Sequence, residues 1–542
     1  MAHRYTEEQL NTADKSLLIQ IIMSLQDQTE ALTKEVHDLN DKMQLMLEQI
    51  VLAKKDRFGR SSEKMDDAAQ IRFMEVDGTI VFFNEAEAVC DLDAPEPQDL
   101  SADKKRGRKK PGKKEEDLSG LKVNVIGHYL SEEELIREFG EEGWYQLEDT
   151  ISRRYKFIPA SVEVDEHHIG VYKSRKDGHM LRAPHPKGLL HASPVSSTLA
   201  AAIMNGKYVN AVPLYRLEKE FERYGLSITR QNMANWMIRL SEEYLSVLYG
   251  YLHKLLYDYH VIQADETTCL VNRDGRAAGA KSYMWVYRTG YLYTDKQIVL
   301  YEYQKTRNAA HPRKFLSGFK GICVTDGYQV YRTIEKERED LTIAGCWVHT
   351  RRKFNDALEQ IPKKEQKNTI GYLVMKQIQA IYAEEGKLKN LSSEERLKQR
   401  EVVIKPLVDA LFLYLKQNEP RIQAKGKMRE AFNYALNQEK YLKVFLTDGD
   451  VPMDNNASER AIRGFTVGRK NWQMIDTING ANASAVIYSI AETAKANNLK
   501  PYEYFEHLLS EIPKHMDDHD LKFMEDLLPW SPALPDRIRK NK

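Results

Sequence analysis

The chain has 542 residues, 42% of them hydrophobic, and its 80 basic residues balance 80 acidic ones. That length exceeds the reach of one core, so several folded units are expected, and the zero net charge excludes any inference from overall basicity to nucleic acid. A mean hydropathy of −0.58, with no apolar run long enough for a bilayer and no charged-then-apolar leader, excludes a membrane protein and makes the cytoplasm the expected location.

Residues 1–56 carry a heptad seam. Leu18, Leu25, Leu32, Leu39 and Met46 occupy one core position, and Ile22, Thr29, Val36, Met43 and Ile50 the other. Only Thr29 interrupts the apolar stripe, which is narrow enough to suit a partner helix, so a coiled coil and a homo-oligomer are expected. Residues 57–120 are expected to be a disordered linker, acidic first and then basic. Its stretch 104–114, KKRGRKKPGKK, has eight cations among eleven residues. Arg106, Arg108, Lys109 and Lys110 are candidate DNA contacts, the two arginines flanking a glycine thin enough for a minor groove. Residues 121–192 alternate short strand-like pieces with one helix expected over 131–139, and read as a small β-rich domain. Its six histidines lack paired spacing. The four cysteines, Cys90, Cys269, Cys323 and Cys346, form no CxxC, so neither a disulfide framework nor a cysteine zinc knuckle is encoded.

Residues 193–256 are helical. PLYRLEKEFERY, with Pro213 as its first helical residue, is followed by Gly225 and then RQNMANWMIRL, a helix-turn-helix pattern. Its second helix would present Arg230, Gln231, Asn232 and Asn235 to base edges or phosphates.

From residue 257 the period changes. HVIQADETTCLV, SYMWVYRT, QIVLYEYQ, KGICVTD and LTIAGC read as five strands, with crossover helices over 308–319 and 330–337. Three consecutive strands followed by α-β-α-β is the order of a ribonuclease-H-like mixed sheet, assigned to 257–363. Residues 364–446 form a helical insertion, 447–498 the second part of the core, and 499–542 a C-terminal segment. Asp265 lies on the first strand and Asp326 ends the fourth, its neighbour. Glu459 follows 133 residues after Asp326, one turn into a helix that opens at DNNASERAIRGFTVGRK. Asp454 or an adjacent Asn suits the N-cap, and Glu266 is expected to point away from Asp265 on the strand, which leaves Glu459 as the third acid. Three such carboxylates repel unless divalent cations neutralise them. Two hard ions, Mg²⁺ or Mn²⁺, would also bind a phosphate and an attacking water. Asp265, Asp326 and Glu459 are therefore the candidate catalytic and metal-ligating residues. His349, Arg351 and Arg352 follow a strand end where cations could grip a phosphate, and Arg460, Arg463, Arg469, Lys470 and Trp472 suit a DNA backbone and one stacked base.

Taken together, RFGRSSEK, KRGRKKPGKK, KYVNAVPLYRLEKEFERYGLSITRQNMANW, ADETTCLV, TDGYQVY, CWVHTRRKF, DNNASERAIRGFTVGRKNW and the tail YEYFEHLLSEIP with LLPW resemble the insertion sequence 66 family of DDE-class transposases. The resemblance runs from about residue 50 nearly to the end. It implies a DNA transposase of a bacterial cell, nucleoid-associated, that cuts at an element's terminal inverted repeats and joins the freed 3′ ends to target DNA. Asp265, Asp326 and Glu459 match the family's catalytic acids, and small accessory proteins often accompany such elements. Family members commonly carry a cysteine-based zinc segment before the helix-turn-helix. Residues 121–192 have no cysteine, so zinc is not expected. Two other readings stay open from the residues: a nuclease of the same fold that never joins DNA, and a coiled-coil DNA-binding regulator without activity.

Overall fold

The computed structural model describes residues 74–76, 79–81, 125, 128–139 and 160–540, the last with interruptions at 174, 176–178, 185–186, 278 and 519. The heptad seam and the basic residues Arg106, Arg108, Lys109 and Lys110 lie outside the described residues. The chain divides into two compact units, one spanning Arg60–Asp165 and the other containing Glu166–Lys540. In the smaller unit Met74–Val76 pairs antiparallel with Thr79–Val81, and a helix runs over Glu132–Phe139. Ser131 starts that helix reciprocally, its hydroxyl accepting from the Glu134 amide and its own amide donating to Glu134 Oε2 at 2.9 Å.

In the larger unit an exposed hairpin (Val171–Lys173 with Met180–Arg182) precedes a helical region. This region comprises α1 (Ser197–Met204), α2 (Leu214–Arg223), α3 (Arg230–Leu240) and α4 (Ser246–Leu256). Pro213 is the N-cap of α2 rather than its first residue, and α2 stops at Gly225, whose φ of 84° only glycine adopts without strain. Thr229 caps α3 by accepting from the Asn232 amide at 3.2 Å. Leu217 and Phe221 of α2, with Met233, Trp236, Met237 and Leu240 of α3, are buried, which turns the polar start of α3 outward.

The centre is a mixed sheet. β1 (Val261–Arg273), β2 (Lys281–Thr289) and β3 (Val299–Gln304) form an antiparallel meander. After the short helix α5 (Ala310–Phe315), β4 (Gly321–Thr325) returns parallel to β1. α6 (Gln329–Lys336) then leads to β5 (Leu341–Gly345), parallel to β4. The order across the sheet is β3-β2-β1-β4-β5. Gly321 begins β4 with φ 139°, and a Cβ there would lie 2.2 Å from the His260 carbonyl, so this approach of β4 to β1 demands glycine.

α7 (Trp347–Leu358) follows β5; the short α9 (Ser393–Gln399) comes later in the chain, and α8 (Ile370–Lys387), α10 (Lys405–Asn418) and α11 (Lys427–Leu442) pack with α7 around Trp347, Phe354, Ile378, Phe412 and Phe432. Arg400, 0% exposed, ties these helices to the chain that follows, pairing with Glu385 and donating to the carbonyls of Phe445 and Asp448 at 2.7 Å. The chain then enters α12 (Asn456–Trp472), β6 (Ile475–Thr477), α13 (Ile478–Ala496) and α14 (Pro501–Glu511). β6, a three-residue strand that no periodicity announced, extends the sheet by pairing parallel with the far end of β1. α13 covers the free edge of β3: Ser489 Oγ accepts from the Tyr301 amide at 2.7 Å, and Thr493 Oγ1 bonds both the amide and the carbonyl of Val299. Among the described residues no helix is long and apolar enough to cross a membrane.

Phe432 is fully buried with its ring 5.6 Å from that of Phe354. Phe432→Ala should cost about 3–5 kcal/mol in equilibrium chemical denaturation; a loss below about 1 kcal/mol would mean that the helices after β5 do not share one cooperative core with the rest.

Candidate active site

Pairing between β1 and β4 ends at Gln263 opposite Val324. Two residues further along each strand stand Asp265 and Asp326, so neighbouring parallel strands deliver both carboxylates to one end of the sheet. Asp326 Oδ1 accepts from the Tyr328 amide at 2.9 Å, an Asx turn that fixes the side chain and leaves its other oxygen free of that duty. Asp265 Oδ1 accepts from the Glu266 amide at 2.8 Å. Burial, then Glu266, Asp326 and Glu459, push the Asp265 carboxyl well above the usual carboxylate range.

Glu266 does not point away, contrary to the expectation from strand alternation. Asp265, Glu266 and Asp326 each bring an oxygen within 4.8 Å of the others. β4 has already left β1 at this level, and the turn carrying Asp326 lies beside an unpaired strand edge that side chains of both faces can reach. The Glu266 side chain is 2% exposed and is gripped by the Arg307 guanidinium, with Nε at 2.8 Å, and by the Tyr331 hydroxyl at 3.3 Å. Burial and Asp326 push it up to about 7 against the pull of Arg307. Arg307 is itself stacked 3.6 Å above the Tyr328 ring.

The third acid arrives on α12. Asn455 is the N-cap, but its side chain bonds the sheet instead of the helix. Nδ2 donates to the Ala264 carbonyl at 2.8 Å, and Oδ1 accepts from Gln263 Nε2 at 3.1 Å. Gln263 Nε2 also reaches the Asp454 carbonyl, while its Oε1 accepts from the Tyr291 amide at 3.0 Å. Both amide side chains are 0% exposed. Asp454 turns its carboxylate onto its own chain, accepting from the Asn456 amide at 3.0 Å. Arg288 Nη1 and the Tyr301 hydroxyl bind the carbonyls of Ala457 and Ala461, completing the attachment of α12 to the sheet.

Glu459 therefore faces the start of α7. Its carboxylate lies 3.9 Å from His349 Nε2 and 3.6 Å from Arg352 Nη2; these, and not Arg463, are its ion partners. It is 19% exposed, yet Oε1 is buried without a hydrogen-bond partner. Glu459 falls outside the 4.8 Å cluster of the sheet acids and forms a second one with Cys346 and His349. The two clusters adjoin, because Glu459 raises Asp265, and both Glu459 and Asp326 work against the burial that holds His349 below its ordinary range. Buried, mutually repelling carboxylates suit a hard divalent cation, and the oxygens of Asp265, Glu266 and Asp326 lie close enough together to be offered to one ion.

The remaining candidates divide. Arg351 is exposed, with its guanidinium 5.7 Å from the Tyr382 ring, and Arg460, Arg463 and Lys470 are exposed on α12. Arg469 is turned back onto β1, where it binds the Thr268 carbonyl and both threonine hydroxyls. Trp472 is half-buried 6.4 Å from Tyr488, with the Lys207 ammonium 5.6 Å away. Arg230, Gln231, Asn232 and Asn235 are all exposed at the start of α3, and Gln231 donates to Asn235 at 3.2 Å. Reading the sequence missed Gln263, Arg307, Cys346 and Asn455. Only Cys346 carried a signal, its CxxH spacing to His349 at a helix start.

Family models match most of the chain: Transposase IS66 family over residues 192–483, IS66 C-terminal element over 489–530, and Transposase C of IS166 homeodomain over 45–123. Two uncharacterised proteins of Sinorhizobium fredii (strain NBRC 101917 / NGR234), y4qI and y4jD, are 30% and 25% identical to it. Each alignment spans 71% of this chain, covering 72% and 76% of the two relatives.

Asn455→Ala would take from the Ala264 carbonyl its Asn455 donor and from Gln263 Nε2 one of its two acceptors in a dry interior. The expected cost is about 1–3 kcal/mol by urea denaturation, against no measurable change for the exposed Lys470→Ala; equal effects would deny the amide lock its role.

Proposed function

Because the chain belongs to the transposase IS66 family, we propose that it is a DDE-class enzyme acting on double-stranded DNA. It binds the terminal inverted repeats of its element, hydrolyses the phosphodiester at the ends, and joins each 3′-OH to target DNA. The observation that carries this reading is the delivery of Asp265 and Asp326 to one end of the sheet, with the unpartnered Glu459 Oε1 approaching from α12. The strand order β3-β2-β1-β4-β5, with only β2 antiparallel to its neighbours, supports a ribonuclease-H-like core, interrupted by the helices α8 to α11.

Two divalent ions, Mg²⁺ or Mn²⁺, would supply the activated water and the charge that stabilises the departing 3′ oxygen. Asp265 and Asp326 would bind them from the sheet and Glu459 from α12. Arg307, by pairing with Glu266, keeps one acid of the cluster from adding its full charge to theirs. His349 and Arg352 stand beside Glu459 at the start of α7, with Arg351 exposed on the same turn, where cationic or hydrogen-bonding groups suit a scissile phosphate. Arg460, Arg463 and Lys470 offer exposed charge to the backbone of the same duplex. Arg230, Gln231, Asn232 and Asn235 form the exposed reading face of a helix-turn-helix. The N-terminal heptads would pair two or more copies, which suits bringing two element ends together, and the basic linker would add salt-dependent affinity. The protein would act on the bacterial nucleoid, and the domain limits read from the sequence would hold except within 121–192, which the division between Asp165 and Glu166 cuts.

Asp265→Ala, Asp326→Ala and Glu459→Ala should each lower Mg²⁺- or Mn²⁺-dependent cleavage of end-containing DNA by about 10²-fold or more while leaving end binding intact. Normal cutting by any one of them removes that residue from the site. Arg230→Ala should weaken binding to the end fragment by about tenfold or more in a mobility-shift titration at fixed salt; unchanged affinity would take α3 off the DNA.

A further inference from the structure

We propose that Cys346, His349 and Glu459 form a second cation site, one that takes a thiophilic divalent ion of the Zn²⁺ class and, when filled, withdraws Glu459 from the acids of the sheet. Sulfur, ring nitrogen and carboxylate oxygen already lie within 4.8 Å of one another. Zinc bonds of about 2.0–2.3 Å in a tetrahedron need these donors roughly 1 Å closer together, a movement within reach of rotamer adjustment. Cys346 is the N-cap of α7 and His349 lies three residues on, so the two share one face of the helix start. Glu459 closes the triangle from the first turn of α12.

The donor set decides the ion. Mg²⁺ and Mn²⁺ prefer oxygen, whereas a thiol, an imidazole and one carboxylate are the mixture selected by zinc and its neighbours. Two atoms in this small space are buried and lack a hydrogen-bond partner, His349 Nδ1 and Glu459 Oε1. Cys346 Sγ accepts from the Asn455 amide at 3.2 Å at the start of α7. Three protein ligands and an open fourth position leave room for a water. The sheet acids, by contrast, contain no sulfur or nitrogen donor, so the two clusters should sort ions by softness while competing for one shared carboxylate.

The consequence for cleavage rests on the catalytic role proposed for Glu459, but binding of the ion does not. The full-length protein would be titrated with Co²⁺ as a spectroscopic stand-in for Zn²⁺. A thiolate-to-cobalt charge-transfer band should appear, be displaced by Zn²⁺, vanish in Cys346→Ala and persist in Asp265→Ala. His349→Ala, which removes one of the three proposed ligands and leaves Cys346 in place, should weaken the Co²⁺ affinity about tenfold or more. No band, a band surviving Cys346→Ala, or an unchanged affinity in His349→Ala would each overturn the site. At fixed Mg²⁺, Zn²⁺ should suppress end cleavage by the unsubstituted protein at concentrations that fill the cobalt-detected site; cleavage that continues with the site filled overturns the withdrawal of Glu459. A protein that shows the band but never cuts DNA would refute the proposed function and leave the site standing.

Discussion

The active-site architecture depends on one buried exchange of amide hydrogen bonds. Gln263 stands two residues before Asp265, and Asn455 four residues before Glu459, and the two side chains bond each other and the main chain of the opposite element with no water to compete. A satisfied amide pair in a dry interior is directional in a way apolar packing is not, so it sets where the helix begins relative to the strand. Two sequence segments almost two hundred residues apart are thereby brought into register. The acids themselves repel and cannot supply that register.

Repulsion is instead contained by the surroundings. Arg307, stacked on Tyr328, is committed to Glu266, and the Asp326 turn is pressed from outside by Tyr434 and Gln438 of α11, whose atoms stand 2.8 Å from where a Gly327 side chain would begin. The helical insertion thus reaches the second acid directly, beyond enlarging the core. α12 extends in the other direction. Its start is fixed to the sheet, and near its end Asn471 donates to the Ala211 carbonyl just ahead of α2. One helix thus runs from beside the acidic cluster to the edge of the region that carries α3.

Much of this was readable in the chain. Runs rich in β-branched and aromatic residues marked all five main strands, and the glycine between the two helices of the 213–240 stretch marked their turn, because these signals depend on neighbours in sequence. β6 escaped because three residues carry no period, and Glu266 was misjudged because alternation describes a strand flanked on both sides, while β1 at that point has lost β4. Gln263 looked like an ordinary polar residue and Asn455 only like a possible helix cap, since nothing local distinguishes an amide that will be buried against a partner from one left in water.

The sequence by itself determined the order of the main elements and the kinds of side chain available to them, because covalent neighbours and side-chain types set propensity, period and charge. Tertiary structure alone decided which carboxylates share a cluster, that Glu459 keeps company with Cys346 and His349, and which cations are committed inward, as Arg469 is, or left outward, as Arg463 is. Those outcomes turn on distances of a few ångströms between segments far apart in the chain, and such distances come into being only when the buried amides and aromatic cores close around them.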